Sequence, residues 1–119
     1  MARIMIAEDS EAIRTLLKDS LKIGYHEVVA EATDGVETVE KFNATKPDVL
    51  LLDIAMPKKD GLSALKEIMA SSPDAKVVMI TAIDNLKAIN ESAAAGAQAY
   101  IVKPFEFEDV LKAITMALS

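Results

Sequence analysis

Short apolar runs of four to six residues alternate along the chain with longer segments in which apolar positions recur every third or fourth residue. That alternation predicts strand and helix in turn from end to end. Strands are predicted over residues 3–7, 27–32, 48–52, 76–80 and 99–102. The runs IMIA, VLLL and VVMI are apolar at every position rather than at every second one, the pattern of strands buried on both faces, so these three are expected at the centre of a sheet. The run HEVVAEA instead carries Glu27 and Glu31, charges of the kind that discourage further pairing, and is expected at an edge.

Between the strands, Ile13, Leu16, Leu17 and Leu21 share a predicted helix face, as do Val36, Val39 and Phe42, then Leu62, Leu65, Ile68 and Met69. Val110, Leu111, Ile114 and Leu118 repeat the pattern near the end. The segment 85–95 is helical by propensity, but its apolar side (Leu86, Ile89, Ala93, Ala94) is mostly small, so it is expected to be weakly anchored. All four prolines lie outside the helix cores and the four glycines fall at element ends. The fold class that follows is α/β, a five-stranded parallel sheet with helices on both faces, because each parallel return needs a right-handed crossover. Ligands of such sheets bind beyond the carboxyl ends of the strands.

Composition narrows the function. With 119 residues the chain is expected to form one domain, 1–119, and its 51% hydrophobic and 27% charged residues suit an ordinary folded protein. It has no cysteine and one histidine, His26, which removes disulfides, thiolate chemistry and Cys/His metal sites; His26 is expected at the surface and receives no role. A net charge of −6 argues against nucleic acid as a partner. Apolar runs such as VLLL fall far short of the ~20 residues that span a bilayer, and there is no charged-then-apolar export signal, so the expectation is cytoplasmic with no membrane partner.

The residues at the ends of the central strands are Glu8 and Asp9, then Asp53, then Thr81, then Lys103. Three carboxylates in one cleft repel, two unit charges about 4 Å apart costing roughly 4 kcal/mol at an effective dielectric of 20, so a cation must compensate. Oxygen ligands without Cys or His select a hard ion, and carboxylates on loops suit Mg²⁺. Lys103 adds a second cation and Thr81 a hydroxyl donor, a set suited to phosphoryl transfer. Singly, each has an ordinary explanation: Glu8, Asp9 and Asp53 as helix caps, Lys103 as a solvated lysine, Thr81 and Tyr100 as strand residues. Only their convergence favours function.

These motifs, namely Glu8-Asp9, DIAMPKKDG over 53–61, Thr81-Ala82, Tyr100 and Lys103-Pro104-Phe105, resemble those of a response-regulator receiver domain of the single-domain, CheY-like chemotaxis type, over nearly the whole chain. The resemblance implies strand order 2-1-3-4-5 and Asp53 as the acceptor of a phosphoryl group from a histidine kinase of the CheA type. It implies Mg²⁺, with Mn²⁺ as a substitute, held by Asp9, Asp53, the Ala55 carbonyl and, through water, Glu8. It further implies phosphoryl binding by Lys103, a cis peptide before Pro104, Thr81, Ala82 and Tyr100 as switch residues, and partner docking on the face of the fourth helix, fifth strand and fifth helix. The protein is then a monomeric signalling domain rather than an enzyme: it catalyses its own Mg²⁺-dependent phosphorylation and loses the group slowly, since no obvious base lies nearby.

Two departures stand out. The family commonly has two aspartates where this chain has Glu8-Asp9, and Ala55 and Ile83 are apolar where polar side chains are frequent. The docking face carries Asp84, Glu91, Glu106, Glu108 and Asp109 against Lys87, Lys103 and Lys112, so the expected output partner is basic, resembling the CheF adaptor of archaeal motility systems. A phosphorelay intermediate, or a receiver of a non-chemotaxis two-component system, is the alternative function. A haloacid-dehalogenase-type phosphatase would need a second aspartate where Ala55 stands. A flavin or nucleotide carrier would need a phosphate loop where Glu8 and Asp9 stand. The last competing class is a receiver relic used only for interaction, which the presence of Asp9, Asp53, Thr81 and Lys103 disfavours.

Overall fold

Strand and helix alternate through the whole computed structural model, which describes residues 1–82 and 84–119. The elements are β1 (Arg3–Ala7), α1 (Glu11–Ile23), β2 (Glu27–Ala32), α2 (Gly35–Thr45), β3 (Val49–Asp53), α3 (Gly61–Ser71), β4 (Val77–Ala82), α4 (Leu86–Ala94), β5 (Ala99–Lys103) and α5 (Phe107–Leu118). All pairings are parallel and the strand order is β2-β1-β3-β4-β5. The three uniformly apolar strands are therefore the central ones, and the Glu-bearing β2 is an edge. Its ladder with β1 slips between Ile4 and Met5, an irregularity that roughens the open edge.

Alternate residues of the central strands feed two cores. Ile4, Ile6, Leu51, Val78 and Ile80 pack with Leu17 and Leu21 of α1 and with Val110, Ala113 and Ile114 of α5. Met5, Leu50, Leu52, Val77 and Met79 pack on the other face with Phe42 of α2 and with Ala64, Leu65 and Ile68 of α3. Helix α4 contributes only Ser92 to the buried interior, and the Ser92 hydroxyl has no hydrogen-bond partner among the described residues.

Helix starts are capped by side chains that the sequence places there. Ser10, Asp34, Asp60 and Asn85 accept from the backbone N–H of Ile13, Glu37, Ser63 and Ala88. Asp60→Ala is expected to lower stability by about 1 kcal/mol in urea unfolding, the usual effect of losing such a cap.

Several expectations need correction. Leu16 is 55% exposed: it lies at the margin of the α1 apolar arc, and Ser20 turns inward instead, its hydroxyl donating to the Leu16 carbonyl. Val36 and Leu118 are likewise exposed at the margins of their helices. His26 is half-buried, and its Nδ1 accepts the Ala2 N–H at 3.1 Å, so it ties the start of the chain to β2; burial lowers its pKa. Strands β3, β4 and β5 each run past the predicted ends, because the ladder continues through Asp53–Ile80, Thr81–Val102 and Ala82–Lys103.

Candidate functional site

That continuation places the candidate chemistry at the last rungs of the sheet rather than in loose loops. Asp53 is the final residue of β3, flanked by β1 and β4, and is buried. Beyond it, the Ile54 N–H donates to the Ile80 carbonyl and the Gly61 N–H to the Ile54 carbonyl, so backbone on both sides holds the loop that follows Asp53. A Cβ on Gly61 would lie 2.0 Å from the Asp53 carbonyl oxygen, and one on Gly35 would lie 2.0 Å from the Lys59 carbonyl oxygen. The loop between β3 and α3 is thus clasped by two helix starts that approach it only because they lack side chains. Lys58, at φ +67°, closes the clasp with its ammonium 3.5 Å from Asp34 Oδ2.

Glu8, Asp9 and Asp53 each present a carboxylate oxygen within 4.8 Å of the others. Glu8 is 1% exposed; its Oε2 accepts the Ser10 N–H at 3.0 Å, whereas Oε1 receives no directed hydrogen bond. Lys103 Nζ sits 3.1 Å from that Glu8 Oε1 and 3.4 Å from Asp53 Oδ1. The Ala55 N–H reaches Asp53 Oδ1 at 3.4 Å. Burial pushes the Glu8 pKa from 4.5 up to about 7, with the Ser10 N–H opposing and the Asp53 charge adding to the rise. Burial also raises Asp53 against the pull of Lys103. For Lys103 burial acts downward, but its two carboxylate partners outweigh it and the net shift is upward.

A cleft with three acidic groups and one lysine, in which the buried Glu8 Oε1 has an ion-pair contact but no directed hydrogen bond, fits a hard divalent cation: the ligand atoms are all oxygen and the negative charge is in excess. The cluster can therefore hold a metal ion, with Glu8, Asp9 and Asp53 as side-chain ligands.

The remaining candidates surround this cleft. Thr81 is buried and its hydroxyl donates, at 3.4 Å, to the Ala82 carbonyl; Ala82 is exposed. The Lys103–Pro104 peptide is cis. Tyr100 is 54% exposed and borders a groove of about 640 Å³ between α4, β5 and α5, so its ring is outside the core. Ile83 lies outside the described residues. Sequence reasoning missed Arg14, whose guanidinium donates to the Glu8 carbonyl at 2.8 Å and approaches Glu31 of β2 at 3.5 Å. Nothing in the local pattern distinguishes that arginine from a solvated one on α1. Met56, within the loop between β3 and α3, is buried in the second core.

No helix among the described residues is long and apolar enough to cross a membrane. The sequence model of the response regulator receiver domain matches residues 4–115. The chain is 43% identical to chemotaxis protein CheY of Listeria monocytogenes and 40% identical to that of Bacillus subtilis, in each case over 117 residues and 98% of both chains. Among solved structures, one of a CheX–CheY complex with BeF₃ and Mg²⁺ from Borrelia burgdorferi has a TM-score of 0.94 at 29% identity, covering 98% of this chain and 89% of that one. The chain belongs to the response regulator receiver domain family, as a homologue of the single-domain CheY proteins.

Proposed function

We propose that the protein is a phosphoacceptor signalling domain in which Asp53 takes a phosphoryl group from the phosphohistidine of a kinase and the modified domain signals to a motility partner. The observation that carries this reading is the buried Asp53 carboxylate, held at the last rung of β3 with Lys103 at 3.4 Å and two further carboxylates beside it. An Asp53 oxygen attacks phosphorus, the phosphorus–nitrogen bond to the donor imidazole breaks, and an acyl phosphate forms while the imidazole takes up a proton. Lys103 is already paired with Asp53 and is positioned to bind an oxygen of the arriving group. The Thr81 hydroxyl, now on a long bond to Ala82, is free to turn toward the same group. Mg²⁺, held by Asp9, Asp53, the Ala55 carbonyl and Glu8, would supply neutralisation of phosphoryl charge. The Borrelia burgdorferi relative, solved with BeF₃ and Mg²⁺, supports this choice of ion.

Output is assigned to the α4–β5–α5 face, where the groove lies and Tyr100 is available to move inward when Thr81 turns. With Lys103 engaged in the site, that face keeps Lys87 and Lys112 against Asp84, Glu91, Glu106, Glu108 and Asp109. The partner is therefore one with a basic surface, such as a CheF-like adaptor, and the kinase is of the CheA type.

Incubation with acetyl phosphate and Mg²⁺ is expected to add one phosphoryl group by intact mass. The adduct should vanish in Asp53→Asn and with a chelator. An adduct that persists in Asp53→Asn would refute the assignment of the acceptor.

A further inference from the structure

β1 ends its ladder at Ala7, so Glu8 and Asp9, two of the three carboxylates in the cleft, lie just past the sheet. Strand pairing alone does not fix them there. The Glu8 N–H still reaches the Ala32 carbonyl of β2 at 3.0 Å, and the Ser10 N–H closes on Glu8 Oε2 at 3.0 Å. Between these two bonds stands the peptide that joins Glu8 to Asp9, and its carbonyl accepts from Arg14 Nη1 at 2.8 Å. A charge-assisted bond of that length pins the peptide plane. Because the plane is rigid and carries the Glu8 Cα at one end and the Asp9 Cα at the other, turning it would change how both carboxylates face Asp53.

Arg14 is itself held. Its side chain is 17% exposed, its Nε lies 3.5 Å from Glu31 Oε1 on β2, and Lys18 Nζ meets the other Glu31 oxygen at 3.4 Å. The guanidinium thus spans from the edge strand to the turn after β1, one nitrogen on each. Its charge by itself does not help a metal ion: a cation near the cleft repels a divalent ion, so losing that charge would tighten binding. Loss of positioning acts with the opposite sign.

We propose that Arg14 is a positioning residue for the metal site, holding the Glu8–Asp9 peptide so that both carboxylates are presented to one divalent ion, with Glu31 of the edge strand as its anchor. The inference rests on the metal-site reading above, and the test separates the two.

The test is Mg²⁺ titration by calorimetry on the full chain and its Arg14→Gln, Arg14→Lys and Lys18→Gln variants, each checked for folding by circular dichroism. Arg14→Gln should weaken Mg²⁺ binding about tenfold, the lower end of what losing a hydrogen bond behind a metal ligand costs. Arg14→Lys keeps a charged donor and should recover part of the loss. Lys18→Gln removes an equal charge from the same Glu31 without touching the turn, and should leave the affinity unchanged or slightly tighter. Binding in Arg14→Gln as tight as in the wild type, or tighter, would overturn the positioning role, as would an equal weakening in Lys18→Gln. A chain that binds no Mg²⁺ in any variant, wild type included, would overturn the metal site itself. The backbone ¹⁵N order parameter of Asp9, measured in chelator, reads the peptide without any ion. It should fall in Arg14→Gln and hold in Lys18→Gln, and a value unchanged in Arg14→Gln would overturn the hold on that peptide.

Discussion

Gly61→Ala is expected to destabilise the fold by about 3 kcal/mol in urea unfolding, at the upper end of what overpacking costs. The added Cβ would stand 2.0 Å from the Asp53 carbonyl oxygen and 2.7 Å from Ile54 Cα. Both are backbone atoms and cannot rotate aside. β3 cannot yield either, because its residues are buried and it is paired with β1 and β4. The start of α3 has to retreat, which would loosen the Gly61 N–H bond to Ile54 and the loop that follows Asp53. This loss outweighs the roughly 1 kcal/mol that alanine gains over glycine inside a helix. Gly24→Ala is the control: its Cβ would meet Leu111 Cδ2 at 2.5 Å, the tip of a side chain able to swing away, so the cost should be much smaller. Equal effects at the two positions would mean that the close approach of α3 to Asp53 is not a constraint.

Glu8→Gln is expected to stabilise the metal-free protein at high pH and to change little at low pH. The Glu8 pKa rises from 4.5 to about 7 on folding, chiefly through burial, so between those values the folded state holds the proton more tightly than the unfolded state does. Stability from this group is full below pH 4.5, declines as pH rises, and is lost above about 7. A shift of that size corresponds to about 3 kcal/mol. Asp53, also raised, adds a decline of the same sign starting from its own unfolded value of 3.8. His26 works oppositely: with its pKa lowered by burial, it favours folding as pH rises toward 6.5. The difference between wild type and Glu8→Gln, measured in chelator by urea unfolding from pH 4 to 8.5, cancels the His26 contribution and leaves Glu8 together with its coupling to Asp53. A difference that does not grow with pH would show that the cluster does not hold the proton on Glu8. Saturating Mg²⁺ should abolish the wild-type decline.

Much of the molecule was legible in the sequence because its signals are coarse and mutually consistent. Strands with no polar position must be central, and parallel strands must end on one side, which is enough to gather Glu8, Asp9, Asp53, Thr81 and Lys103 without any knowledge of contacts. What stayed hidden depends on angles and reach finer than periodicity. Leu16 and Ser20 are both near the apolar arc of α1, and a difference in rotation of a few tens of degrees decides which one is buried. Arg14 acts on the Glu8 carbonyl, a backbone atom that leaves no mark in the composition. His26 appeared idle because its partner is the N–H of Ala2, across the β1–β2 neighbourhood. The extension of β3, β4 and β5 by one or two residues reflects ladder hydrogen bonds, which side-chain pattern does not encode.

The sparse anchoring of α4 has an energetic meaning for signalling. Helices α1, α3 and α5 each bury several side chains, whereas α4 buries Ser92 alone, a small residue whose hydroxyl finds no partner among the described residues. Local opening of α4 therefore costs only a fraction of global unfolding, and its amides exchange with solvent through that local route while those of β3 wait for the whole sheet to open. If Asp53 is the acceptor proposed above, its modification need supply only that small difference to redistribute the α4 ensemble, and the core would not be put at risk.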